Sequence, residues 1–234
     1  MIPKIFQNVV GNKISVHTKN APIIGTFNTS SFIDIKTSNA PVKVGINAFN
    51  GNTTFPTGVK IHTSNRLVPP PVTSSARPFP AHEFSSCPQC SVLLAELALF
   101  STHEDHTGGA FAVHARTSNS PLTINCTEQP PDARLALNAH TSNSPAHVRL
   151  HPAFEGIFKL RTSIFSAVVA GADADVEDPA GRGRKRVVEV RTIGRGSGIV
   201  HGDVEWVPRD DEVVAPAGKV EVSTSHSPLH LSLV

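Results

Sequence analysis

Tyrosine is absent and tryptophan occurs once, leaving an aromatic share of 6%. That is poor material for a sugar-stacking cleft and thin for the broad core of a β-sandwich. A narrow interior filled by Val, Ile, Leu, Ala and Thr needs little more. Cysteine is scarce, and three residues, an odd number, do not make the disulfide framework of a small secreted domain. No run of 18 apolar residues occurs, so no membrane span is expected. The opening stretch lacks the charged-then-apolar pattern of a secretory signal. These two absences set cytoplasmic as the expected location. The formal net charge is only +2, which provides no bulk attraction to nucleic acid or membrane.

Catalytic signatures are missing as well. There is no G-x-S-x-G nucleophile elbow, and Gly194-Arg195-Gly196-Ser197-Gly198 is a Gly-rich turn with no helix after it to hold a phosphate. Paired carboxylates of the kind a polysaccharide-cleaving enzyme needs cannot be picked out. No cofactor-binding motif is found. The expectation is a non-enzymatic chain without a cofactor.

What is present is repetition. A short segment returns eight times around a threonine: Thr18, Thr37, Thr63, Thr117, Thr141, Thr162, Thr192 and Thr224. Repeats of this length imply stacked, quasi-one-dimensional architecture. In one copy Ile33 and Ile35 alternate with Asp34 and Lys36, then Ser38-Asn39-Ala40-Pro41 intervenes, then Val42, Val44 and Ile46 alternate again. Period two on both arms reads as two half-buried strands. Asn and Pro between them read as a corner. The expected fold is all-β: a single-domain β-solenoid of stacked two-strand units over residues 1–234.

Stacking makes columns. Two residues before each threonine stand Val16, Ile35, Ile61, Ala115, Ala139, Leu160, Val190 and Val222, all apolar and so inward. Alternation puts all eight threonines inward too, where their hydroxyls can bond corner backbone. Two residues after the threonines an Asn column, Asn20, Asn39, Asn65, Asn119 and Asn143, reads as structural. The outward column immediately before the threonines holds His17, Lys36, His62, Arg116, His140, Arg161, Arg191 and Ser223. Seven of the eight can carry positive charge. Neutral histidines between fixed cations relieve the repulsion of like charges on adjacent strands. One reading is a solvated face that discourages edge pairing. The sharper reading is a cationic strip for an anionic polymer or lipid headgroup, strengthened as the histidines protonate below about pH 6.5, while the flat faces would contact a protein partner or an anionic polymer.

The pattern breaks over about 67–110, a Pro-rich and Cys/His-containing insertion in which Val92, Leu94 and Leu97 fit strand or helix and a degenerate rung is favoured. Cys87-x2-Cys90 followed by His103 and His106 is the most metal-like pattern in the chain. Its His pair is one residue closer than in a zinc finger, so a structural zinc clip competes with plain loop residues. The stretch 173–186 pairs an acidic half with a basic half and reads as a self-neutralising solvated loop, with no specific nucleic-acid signal. Open ends of a stack are unpaired sheet edges, so a homodimer through the solenoid ends is expected.

The repeated T-S-N-x-P units, with the segments 151–163, 178–182, 202–206 and 218–225, resemble the putative-adhesin type of β-solenoid repeat. More specifically they resemble a fungal, basidiomycete-type adhesin-like domain of unknown function. The resemblance covers most of the chain and implies a fold; it implies no activity and carries over no functional residue. The insertion departs from it. The expected function is a scaffold or binding protein presenting flat β faces. A carbohydrate-active enzyme on a β-helix, or a cell-surface adhesin, is the alternative.

Overall fold

The computed structural model describes residues 3–52, 54–64, 92–172, 175–193, 198–207 and 218–233. They form an all-β structure of two sheets with mostly parallel strands. The first sheet runs, in spatial order, β1 (Lys4–Val10), β3 (Ile23–Thr29), β5 (Val42–Asn50), β7 (Leu93–Ser101), β9 (Leu122–Glu128), β11 (Ala146–Leu150), β17 (Leu229–Leu233) and β13 (Ala167–Ala170). The second runs β2 (Lys13–His17), β4 (Phe32–Thr37), β6 (Thr57–Thr63), β8 (Ala110–Thr117), β10 (Arg134–Thr141), β16 (Gly218–Thr224), β12 (Gly156–Thr162), β15 (Gly198–Val207) and β14 (Lys185–Ile193). From β1 to β11 the chain passes from one sheet to the other at every corner.

Alternation along each strand builds the interior. Ile14, Ile33, Val59, Val113, Leu137, Val220 and Phe158 line up across the second sheet. Ile23, Val42, Leu93, Leu122, Ala146 and Leu229 do so across the first. All of these are buried in one continuous core. Each buried Leu or Ile contributes about 1.5–3 kcal/mol relative to exposure. The stretch around Val92, Leu94 and Leu97 is a regular strand: β7 pairs with β5 and β9 in parallel, burying Leu93, Ala95, Leu97 and Leu99. Period two rather than helical propensity decides it, so the irregular insertion is shorter than 67–110.

The threonines stand beside one another as Thr37, Thr63, Thr117, Thr141 and Thr224, all buried. The hydroxyls of Thr18 and Thr224 donate to the corner carbonyls of Ala21 and Ser227 at 2.8 and 2.6 Å. Thr162 does the same to Phe165. The corner Asn residues form a ladder: Asn39 Nδ2 donates to Asn20 Oδ1 at 2.9 Å, and Asn143 Nδ2 to Asn119 Oδ1 at 2.7 Å. Thr192 keeps the inward register, opposite the buried Val200, but is not covered as the other threonines are. It is exposed, and Val190 beside it is 43% exposed. Both lie on β14, an edge strand that runs antiparallel to β15 and has little covering its inner face.

Sequence order is not spatial order at the C-terminal end. The last unit, β16 and β17, inserts between the β10–β11 unit and the β12–β13 unit. Gly156 (φ 149°) and Gly218 face each other where β12 meets β16. A Cβ on Gly156 would lie 2.2 Å from the Gly218 carbonyl oxygen, so this junction requires glycine.

Candidate anion-binding face

Register decides which members of the basic column meet. His17, Lys36, His62, Arg116 and His140 are consecutive neighbours across β2, β4, β6, β8 and β10. Ser223 of the inserted β16 follows, accepting or donating a 2.9 Å bond with His140 Nδ1, and only then comes Arg161. Arg161 therefore stands apart from the first five. Arg191 does not join the column at all. Antiparallel β14 sets it opposite His201, in the neighbouring row, and it pairs with Glu189. At the other end His17 is occupied by Asp34, 3.1 Å away.

The centre is different. A shallow concavity on the outer face is lined by Lys60, His62, His114, Arg116, Asn138 and His140, with no carboxylate among its lining residues. Lys60 and His114 are neighbours in the row two residues upstream of the column. That row stands three residues before each threonine. It runs Asp34, Lys60, His114, Asn138, Glu221, so its acids fall at either side of the basic centre. Neighbouring strands place the groups of one row about 4.8 Å apart.

Burial is the first cause that lowers His62 below its ordinary value of 6.5, followed by Lys36, Arg116 and Lys60; Asp34 opposes them. His140 is lowered by burial and by Arg116. Both rings are therefore neutral at pH 7, and they protonate below the ordinary histidine range rather than at it. At neutral pH the fixed charge of the centre comes from Lys36, Lys60 and Arg116.

The metal-like pattern is only partly in view. Cys87 and Cys90 lie outside the described residues. His103 and His106 are both exposed in the turn after β7, where His106 N–H donates to the His103 carbonyl at 3.1 Å. Cys126 points into the core, and burial pushes its thiol up to about 12, which makes it unreactive.

A second cluster brings together residues remote in the sequence. The charged loop 175–184 is not simply solvated. Asp178 is buried and pairs at 3.1 Å with the half-buried Arg184, which also faces Glu155 at 3.8 Å and Asp132 at 3.7 Å. Arg182 holds Asp132 at 2.6 Å, and the Arg184 guanidinium lies over the buried Trp206 ring. Burial alone would raise Asp178. Hydrogen bonds from the Arg184 side chain and from the backbone of Ala180 and Arg184 outweigh it and hold the carboxyl down to about 2. Burial raises Glu155, against the Trp206 N–H and Arg184. Three carboxylates gathered in a groove would suit glycoside cleavage. These are instead packed around two arginines and tie a loop down over β15. The acidic and basic halves of the loop look self-cancelling in sequence because the partners from Asp132, Glu155 and Trp206 are remote.

No protein-family model, no curated protein and no solved structure matches the chain. Among the described residues, no helix is long and apolar enough to cross a membrane.

Proposed function

We propose that this chain is a β-solenoid binding module without catalytic activity, and that the centre of its second sheet holds an extended anionic polymer. The observation that carries the reading is the joined set Lys60, His62, His114, Arg116 and His140 around one concavity that no carboxylate lines. The alternation of strands between two sheets, with threonines and asparagines in register, supports the solenoid reading. The resemblance to adhesin-like domains of unknown function fits that architecture and adds no ligand. A surface of parallel rungs repeats its charges at a fixed interval, so it suits a polymer whose negative groups also repeat. A compact ligand would use the interval less well. The ion pairs at Asp34 and Glu221 bound the strip at both ends.

Titrating the full chain with dextran sulfate, with uncharged dextran as control, tests the reading. Binding is expected with the sulfated polymer alone, weakening with salt as counterion release requires. Arg116→Gln with Lys60→Gln is expected to weaken it by about tenfold, at roughly 0.5–1 kcal/mol for each exposed contact. Binding that ignores these two changes would remove this face from the account.

A further inference from the structure

The two ends of the stack are finished differently. At the β1 end the pairing with β3 slips between Phe6 and Val9, and Asn8 takes a left-handed φ of 48°. A bulge of that kind blunts an edge against further strands. At the other end β14 is the last strand of its sheet, regular over nine residues in its pairing with β15. No strand lies beyond it among the described residues. It exposes apolar side chains on both faces: Val187 at 40% and Ile193 at 51% on the outer face, Val190 at 43% on the inner. The inner face opens on an apolar mouth formed with Ala167, Val169, Val188 and Val200.

We propose that β14 pairs with β14 of a second copy of this chain, antiparallel, across a two-fold axis at Val190. The choice of occupant comes from the strand's own charges. A two-fold axis along the sheet normal keeps inner faces together and makes the pair antiparallel, so one residue must oppose its own copy. An axis at Glu189 would set carboxylate against carboxylate, and an axis at Arg191 guanidinium against guanidinium. An axis at Val188 would set Lys185 opposite Arg191. At Val190 no like charges meet within the strand: Glu189 opposes the partner's Arg191 twice, Val187 opposes the partner's Ile193 twice, Val188 opposes the partner's Thr192 twice, and Val190 meets its copy on the inner face. Opposed side chains in such a ladder stand about 4.5–5.5 Å apart, and opposite charges there attract. Within one chain Glu189 and Arg191 are bonded to each other while both stay well exposed, so both remain within reach of a partner. Because the contact is isologous it closes at two copies and leaves the blunted β1 ends outward.

The test is the mass of the full chain by sedimentation equilibrium across a concentration series, with circular dichroism verifying that each variant is folded. The wild type is expected to be a dimer in equilibrium with monomer. Glu189→Arg and Arg191→Glu each place two like-charged pairs across the axis and are expected to weaken the dimer by about tenfold. An equimolar mixture of the two variants restores opposite charges in a heterodimer and is expected to bring association back to within about threefold of the wild type. A wild type that stays monomeric or grows into higher oligomers, a single variant that dimerises as the wild type does, or a mixture that stays monomeric would each overturn the proposal.

Discussion

The part of the chain from β1 to β11 and the part from β12 to β17 use the same strand–corner–strand grammar and arrive at different topologies. In the first, each unit lies on the one before it, so sequence order and spatial order coincide. In the second, the last unit is wedged between two earlier ones, and an antiparallel hairpin replaces the parallel ladder. The lesson is that a repeat specifies how a unit is built and which face it buries, but not which neighbour it takes. The wedge needs its own devices: glycines at 156 and 218 for close approach, and a buried ionic cluster to fasten the loop that leads into β14.

The wedge is the place where the comparison breaks most easily. Leu231→Asp puts a charge in the fully buried middle of β17 and is expected to cost more than about 4 kcal/mol, removing the cooperative thermal transition of the whole chain. If β16 and β17 were an appended end, the rest would still melt as before. Next is Arg184→Met, which leaves Asp178 and Glu155 buried without their cation. The expected loss is about 3–5 kcal/mol by denaturant titration, largely recovered when Asp178→Asn is added.

The same carboxyl gives a pH signature. Asp178 is held below its ordinary value of 3.8, at about 2, so its contribution of about 2 kcal/mol is complete above pH 4 and is lost as the pH falls towards 2. Glu155, raised by burial, acts in the opposite sense, losing stability as the pH rises through its range. The lowered histidines His62 and His140 add a loss that begins as the pH falls below 6.5. Without a polyanion, stability is therefore expected to decline in two stages on acidification, with the lower stage absent in Asp178→Asn.

Smallest is the contrast between two threonines of one column. Thr37 is buried and its hydroxyl has no partner, whereas Thr224 donates to Ser227. Thr224→Val is expected to cost about 1 kcal/mol and Thr37→Val nothing, or to stabilise slightly. Equal costs in thermal melts would mean that the hydroxyls do not distinguish the two parts.

How much of this was legible in the sequence follows the same division. Alternation around Thr37, Thr63, Thr117 and Thr141 gave strands, faces and inward register, because those properties are local. At β7 the residues Val92, Leu94 and Leu97 fit strand or helix alike, and the alternation that decides it is that of Leu93, Ala95, Leu97 and Leu99. Pairing across a sheet is non-local, so nothing near Thr192 announced that its strand would run backwards, and nothing near Ser223 that it would separate His140 from Arg161. The basic column was visible, but its useful part was not. Lys60 and His114 needed a second column to be read beside the first, and Arg191 needed the antiparallel turn to be removed from it. The buried partners of Asp178 and Arg184 come from three separate segments, beyond the reach of any local pattern.

The central claim is that histidines with lowered proton affinity, set between fixed cations, hold a polyanion. Proton uptake on binding tests it most directly, measured by calorimetry of dextran sulfate binding near pH 6 in two buffers of different ionisation enthalpy. The account predicts net uptake of protons in the wild type, reduced in His62→Gln with His140→Gln, as the bound anion raises both rings towards their ordinary range. Binding with no proton exchange, or with the same uptake in the double variant, would contradict it.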